Sequence, residues 1–301
     1  MATTDSSKKS LLGLLEERFV EGVGFGHRPG GQFRPDATAW AILALEAVGS
    51  TSGTAGKARR LLAHAQGEDG RVCVSRQDPD AYWPTPLAIL AWHGVPEYDE
   101  PRRRALGFLL DADLIGVLEG PQTGESHDVT IRGWPWTVKA HPWVEPTAYA
   151  LMALRVCGQA AHSQARDAVR LLLDRQLGAG GWNVGTTITF GQEMWPTPEA
   201  TGLGLQALAG LVPEADVHRS LAYLRTQLPS LNAPMSLAWT ILALRAWQET
   251  LDQPHERIAQ VLARREQRGP WDTFSLSLLL LAAHCQAGLM HRLGHSESGG
   301  R

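Results

Sequence analysis

Apolar residues recur along this chain in a phrase about ten residues long that carries no polar stripe. It occurs six times, at 36–45 (DATAWAILAL), 83–92 (WPTPLAILAW), 145–154 (EPTAYALMAL), 199–208 (EATGLGLQAL), 235–244 (MSLAWTILAL) and 272–281 (DTFSLSLLLL). A helix that is apolar on every side must be buried on every side, and the many Ala and Gly residues let neighbouring helices approach closely. The pattern predicts buried helices over roughly 36–49, 84–94, 145–158, 198–211, 234–248 and 272–287. The stretches between them place apolar residues at helical spacing opposite charged, Arg-rich faces. They predict exposed helices over roughly 8–20, 55–66, 101–111, 163–176, 214–227 and 254–266, the clearest being 163–176, with Ser163 as its N-cap. Six exposed and buried pairs make this an all-α repeat protein whose units can close into a double ring. One domain is expected over 1–287, followed by a frayed tail over 288–301.

Connections in this pattern are unequal. Few residues separate a buried helix from the next exposed one, whereas 67–83, 112–144 and 178–197 are long links from an exposed helix to its buried partner. In a ring of hairpins, all the long links fall on one rim, the usual place for function on a rigid scaffold. The same rim collects the N-termini of the buried helices, whose dipoles favour negative charge. Pro84, Pro86, Pro146, Pro198 and Pro234 lie near those starts, where a missing N–H is tolerated.

Charged residues make up 20% of the 301 and apolar ones 44%, the balance of a water-soluble globular protein. A net charge of -3 with no dense basic cluster predicts no nucleic-acid partner and no anionic-lipid surface. The polar start, and the short apolar run at 11–15 ended by Glu16, Glu17 and Arg18, do not make a signal peptide, and no run approaches the ~20 apolar residues of a membrane span. Cys73, Cys157 and Cys285 are far apart and lack CxxC spacing, which predicts free thiols and a cytoplasmic location.

The segment 176–182 (QLGAGGW) ends an exposed helix. A degraded copy stands at 66–72 (QGEDGRV), and Gly269, Pro270 and Trp271 form a possible third remnant. Together with the phrases at 36–45 and 145–154, this resembles the QxxxGGW repeat of the terpenoid cyclase and protein prenyltransferase superfamily, which includes the squalene-hopene cyclases. The resemblance spans roughly 30–285. It implies an (α/α)6 toroid around a central apolar cavity that opens where the inner helices begin and takes a hydrophobic small molecule, an isoprenoid.

Under that resemblance Trp83, Trp143, Trp195 and Trp271, each at or just before an inner-helix start, would line the substrate path and stabilise cations. The DxDD acid motif of the cyclases is not present. Asp36 is what remains of it at 34–39, and 78–80 keeps two acids, so Asp36 and Asp80 are the first candidates for a catalytic acid, with Glu145 and Glu199 behind them. The simpler reading of Asp36, Glu145, Glu199 and Asp272, which share one repeat position, is helix capping. Thr38, Thr85, Thr147 and Thr201 follow two positions after that point in four repeats and read as local hydrogen-bonders.

The link 112–144 is rich in aromatic and titratable residues. From it Arg132, Lys139 and His141 could meet a diphosphate or another anion, and Mg²⁺ is a possible cofactor if the substrate is a diphosphate. No other cofactor is expected. The Asp and Cys pairing of a prenyltransferase zinc site is not found; His284 beside Cys285 diverges on its helix, and His291 with His295 reads as an incidental pair. Two other functions remain open. One is a non-catalytic toroid that binds a lipid, peptide or protein; the other is a carbohydrate-active (α/α)6 enzyme with carboxylates and aromatics around a cleft.

Overall fold

The computed structural model describes residues 10–111, 127–264 and 269–294. The first half of the link 112–144, the end of the last predicted exposed helix, and His295 with the rest of the tail lie outside the described residues. The inner helices are α2 (Pro35–Val48), α4 (Pro84–Trp92), α6 (Val144–Val156), α8 (Pro198–Leu208), α10 (Pro234–Ala246) and α12 (Thr273–His284). The outer ones are α1 (Leu11–Glu16), α3 (Thr54–His64), α5 (Asp99–Leu109), α7 (Ser163–Asp174), α9 (His218–Gln227) and α11 (Pro254–Ala263).

Each inner helix packs on the next, and α12 packs back on α2, so the ring is closed. Outer helices seat on the inner helices they connect, with α1 against α12. The fold is an all-α toroid, as the repeat predicts. Gly202 shows why small residues recur in the inner phrases: a Cβ there would stand 2.7 Å from the Trp239 carbonyl, so α8 and α10 meet backbone to backbone.

Two short antiparallel pairs were not anticipated. β1 (Phe19–Val20) pairs with β2 (Gly24–Phe25), turning through Gly22 and Gly24 at positive φ, which ends α1 at Glu16 rather than near 20. β3 (Ile188–Thr189) pairs with β4 (Gln192–Glu193) through Phe190 and Gly191, both at positive φ, as a two-residue primed turn requires. Residues 289–294, expected to fray, form α13 (Leu289–Gly294). Its Leu289 and Leu293 are buried, and it packs on α6, α8 and α10. It lies at the end of the ring opposite the long links, where Arg292 donates to the Glu46 carbonyl and Gln206 Oε1 accepts the Leu289 N–H.

At that end the last carbonyls of the inner helices are held by arginines. Arg59 serves Ala91, Arg155 serves Ala207 and Ala209, and Arg245 serves Ala282. Cationic donors at a helix C-terminus satisfy orphan carbonyls and complement the dipole.

At the other end one device recurs. Thr85 Oγ1 accepts the Val72 N–H at 2.9 Å and donates back to its carbonyl; Thr147 does the same to Trp134 and Thr201 to Trp182. Thr38 and Thr273 each donate to the β2 end, at Phe25 and Gly26. Thr38, Thr85, Thr147 and Thr201 therefore tie the entering link to the first turn of α2, α4, α6 and α8, and Thr273 ties α12 to the link that enters α2. Trp182 is fully buried and its Nε1 donates to the Leu172 carbonyl, while Gln176 reaches Asp216 on the next unit. Gly180, at φ +94, passes 2.5 Å (from a notional Cβ) from the Arg219 carbonyl carbon. Trp134 repeats the role of Trp182, buried with its Nε1 on the Leu109 carbonyl, so part of the aromatic content at 112–144 is this packing motif.

Candidate site at the mouth of the ring

Trp40 from α2 meets Tyr149 from α6 at 5.9 Å between ring centroids, Trp239 from α10 at 5.6 Å and Phe274 from α12 at 5.3 Å. Neither α6 nor α10 is adjacent to α2, so these contacts cross the axis. The aromatic cluster occupies the place where the resemblance implied a central apolar cavity. Trp40 lies five residues into its helix, so the floor sits about 7–8 Å below the rim at 1.5 Å per residue. What remains is a shallow mouth over an aromatic floor.

Four carboxylates stand at the starts of the inner helices that frame this mouth. Asp36 takes both ends of a fork from Arg34, at 2.8 and 3.0 Å. Glu145 accepts the Tyr149 hydroxyl at 2.9 Å. Glu199 accepts from Ser236 Oγ across the α8 and α10 contact. Asp272 accepts the Ser275 N–H at 2.7 Å and so caps α12. Of the four, Asp272 alone makes the capping bond expected of all; Thr197 caps α8, and α2 and α6 have no side-chain cap bond.

Burial pushes the Glu145 carboxyl above the ordinary range. The Tyr149 hydrogen bond opposes this, and the Glu199 charge adds to it. Tyr149 is pushed well up by burial, then by Glu145, with Asp36 contributing. The mouth thus holds a carboxyl of raised proton affinity within electrostatic reach of a second one. A raised proton affinity is what a general acid needs.

A cavity of about 550 Å³ opens at this rim, lined by His27, Arg28, Glu199, Met235, Trp271 and Asp272 among others. A larger one of about 1070 Å³ lies outside the ring, between the Gly22 turn, α3 and the 67–79 link, with Arg71 and Cys73 on its wall. The smaller is the better site because carboxylates at the starts of two inner helices, Glu199 of α8 and Asp272 of α12, line it together with His27 and Arg28, with Asp36 and Glu145 at the same rim outside its wall, whereas the larger borders one side of the ring.

Asp80 is exposed and lines neither cavity; its charge reaches Cys73 on the wall of the outer groove, whose thiol burial pushes up. Trp271 lines the mouth cavity. Trp83 packs edge-on against Trp136 and Trp143 against His141, both partly buried, while Trp195 is 84% exposed. Arg132 and Lys139 are exposed, His141 is half-buried 6.4 Å from the His127 ring, and none of the three lines either cavity. Sequence reasoning missed His27, Arg28 and the floor. Its signal was present, since the fifth position of the phrases at 36–45, 145–154 and 235–244 is aromatic each time. Among the described residues no group of three or more His, Cys, Asp or Glu could hold a metal ion, and no helix is long and apolar enough to cross a membrane.

No family model and no curated protein matches the sequence. Solved structures do. An inactive variant of an α-1,6-mannanase of Salegentibacter sp. HEL1_6, in complex with α-1,6-mannotriose, superposes with a TM-score of 0.61 at 11% identity, covering 91% of this chain and 96% of that one. A protein from Actinoplanes superposes with a TM-score of 0.56 at 18% identity, with the same coverage of both chains. At these identities the likeness establishes the toroid alone. It overturns the resemblance to terpenoid cyclases, squalene-hopene cyclases and prenyltransferases. The QxxxGGW segment is accounted for by the packing of Trp182 and Gln176. The isoprenoid partner is corrected with it, because aromatic side chains fill the axis where such a molecule would lie.

Proposed function

We propose that the mouth of the ring binds and cleaves an oligosaccharide. The observation that carries this reading is Glu145, a carboxyl at the rim whose proton affinity is raised by burial and by the Glu199 charge and which is hydrogen-bonded to Tyr149 of the aromatic floor. Glycosidic bonds are broken by such a pair. In this scheme Glu145 protonates the leaving oxygen as the glycosidic C–O bond breaks. Glu199, oriented by Ser236, supplies the carboxylate that attacks the anomeric carbon or draws a proton from the attacking water, so a new C–O bond forms. Asp36, paired with Arg34, and Trp271 border the sugar. The mannanase with its bound mannotriose makes a saccharide substrate the natural first choice. The three free cysteines favour a cytoplasmic location for the activity.

The test is release of reducing ends from α-1,6-mannan, xylan, dextran and polygalacturonate by the wild-type chain, Glu145→Gln and Glu199→Gln. Wild-type activity on one of these, lowered by roughly 10²- to 10⁴-fold in Glu145→Gln, is the expected result for loss of a general acid. A wild-type chain that neither cleaves nor binds any of the four, or full activity in Glu145→Gln, would overturn the reading.

A further inference from the structure

Of the five large hydrophobic side chains that stand exposed among the described residues, four fall within twelve positions: Val184 at 59%, Phe190 at 102%, Met194 at 38% and Trp195 at 84%. A solvent-facing Trp and Phe on one strap are unusual in a chain that buries Trp40, Trp92, Trp134 and Trp182. The strap is also built to hold its shape. The β3 and β4 pair closes it, Asn183 ties the Gly185 N–H and the Thr186 carbonyl, and the Met194 N–H returns to the Thr187 carbonyl.

Its two ends are anchored beside the two acids. The Val184 carbonyl accepts the Val144 N–H, one residue before Glu145. At the far end Trp195 precedes Glu199 by four residues, and the Tyr223 hydroxyl holds the Pro196 carbonyl between them. The strap therefore bridges the starts of α6 and α8, on the same rim as the mouth.

We infer that this strap is a stacking platform for sugar rings of a chain that extends beyond the mouth, with Trp195 as its principal face and Phe190 as its outer one. This rests on the saccharide reading above and adds to it that the substrate is a polymer or long oligomer rather than a di- or trisaccharide. A pyranose ring offers one flat face of C–H groups with hydroxyls around its edge. An isolated aromatic face flanked by polar groups fits that chemistry better than it fits a protein partner, which buries a continuous apolar core. Exposed Gln192 and Thr197 flank Trp195 here. Stacking on an already rigid platform also avoids the ordering cost that weakens loop-borne sites.

The experiment compares wild type, Trp195→Ala, Trp195→Phe and Phe190→Ala by calorimetric binding to α-1,6-mannotriose and to α-1,6-mannan, xylan, dextran and polygalacturonate. Circular dichroism melts verify the fold, which substitution of exposed side chains should leave intact. The expected result is about a tenfold weakening for the bound polymer in Trp195→Ala, recovery in Trp195→Phe, and no change for mannotriose. If polymer binding and cleavage persist unchanged in Trp195→Ala, the platform is overturned while the saccharide reading stands. If the wild-type chain binds none of the glycans, both fall, and self-association lost in Trp195→Ala would then identify the strap as an interface between copies.

Discussion

Replacing Thr201 by valine should loosen the molecule at the point that aims Glu199. Valine keeps the shape of threonine but removes the hydroxyl that accepts the Trp182 N–H at 2.9 Å and donates to its carbonyl at 3.3 Å. The carbonyl retains the Thr197 N–H at 2.8 Å, so the orphan left behind is one buried donor. An unsatisfied buried N–H costs about 1–3 kcal/mol, and we take ~2 kcal/mol for Thr201→Val. Thr147→Val should match it, because the Trp134 carbonyl likewise keeps the Trp143 N–H. Thr85→Val should cost more, about 3 kcal/mol, since among the described residues the Val72 carbonyl has no second donor once the Thr85 hydroxyl is gone, so both the Val72 N–H and its carbonyl are orphaned.

Serine at each site keeps the hydroxyl and loses a methyl group, for ~1 kcal/mol. The assay is equilibrium denaturation in urea, followed by both circular dichroism and tryptophan fluorescence so that a single transition can be verified. The reasoning fails if valine costs no more than serine at these positions, because packing of the methyl would then hold the links in place. It also fails if Thr85→Val is not the most damaging of the three.

Arg155→Met removes two charge-assisted donors, each 2.8 Å from a terminal carbonyl of α8, and should lower stability by about 3 kcal/mol in the same titration, with Arg155→Lys recovering part of it. The pH dependence of stability should bear the mark of Glu145. Burial raises its folded pKa above the unfolded value, so the folded chain holds more protons in that window. Its contribution is therefore most favourable below the unfolded pKa and is lost as pH rises through the folded one. Glu145→Gln should remove this decline, which melting temperatures measured from pH 4 to 8 would reveal as a flatter profile than wild type. In the same window, glycan cleavage by the wild-type chain should fall on its alkaline side as Glu145 loses its proton.

Local periodicity was enough to determine the ring. Six wholly apolar phrases can be satisfied only by burial on all sides, and alternation with charged amphipathic segments leaves few ways to bury them other than a closed double layer. The position of the rim was legible for the same reason, because the long links and the prolines fall at one end of every inner helix. Thr85, Thr147 and Thr201 were visible as a repeat, and their hydrogen-bonding role could be read from residue type. The chemistry of the mouth was not legible there. Asp36, Glu145, Glu199 and Asp272 share one repeat position, yet one is paired with arginine, one is buried against a tyrosine, one is held by a serine of the next helix and one caps. These differences come from neighbours distant in sequence, and a carboxyl's proton affinity depends on burial and nearby charge, which only the closed ring brings together. The aromatic floor follows the same logic. Trp40, Tyr149, Trp239 and Phe274 are ordinary core residues in their own helices, and they become a plug across the axis because ring closure points them at one another.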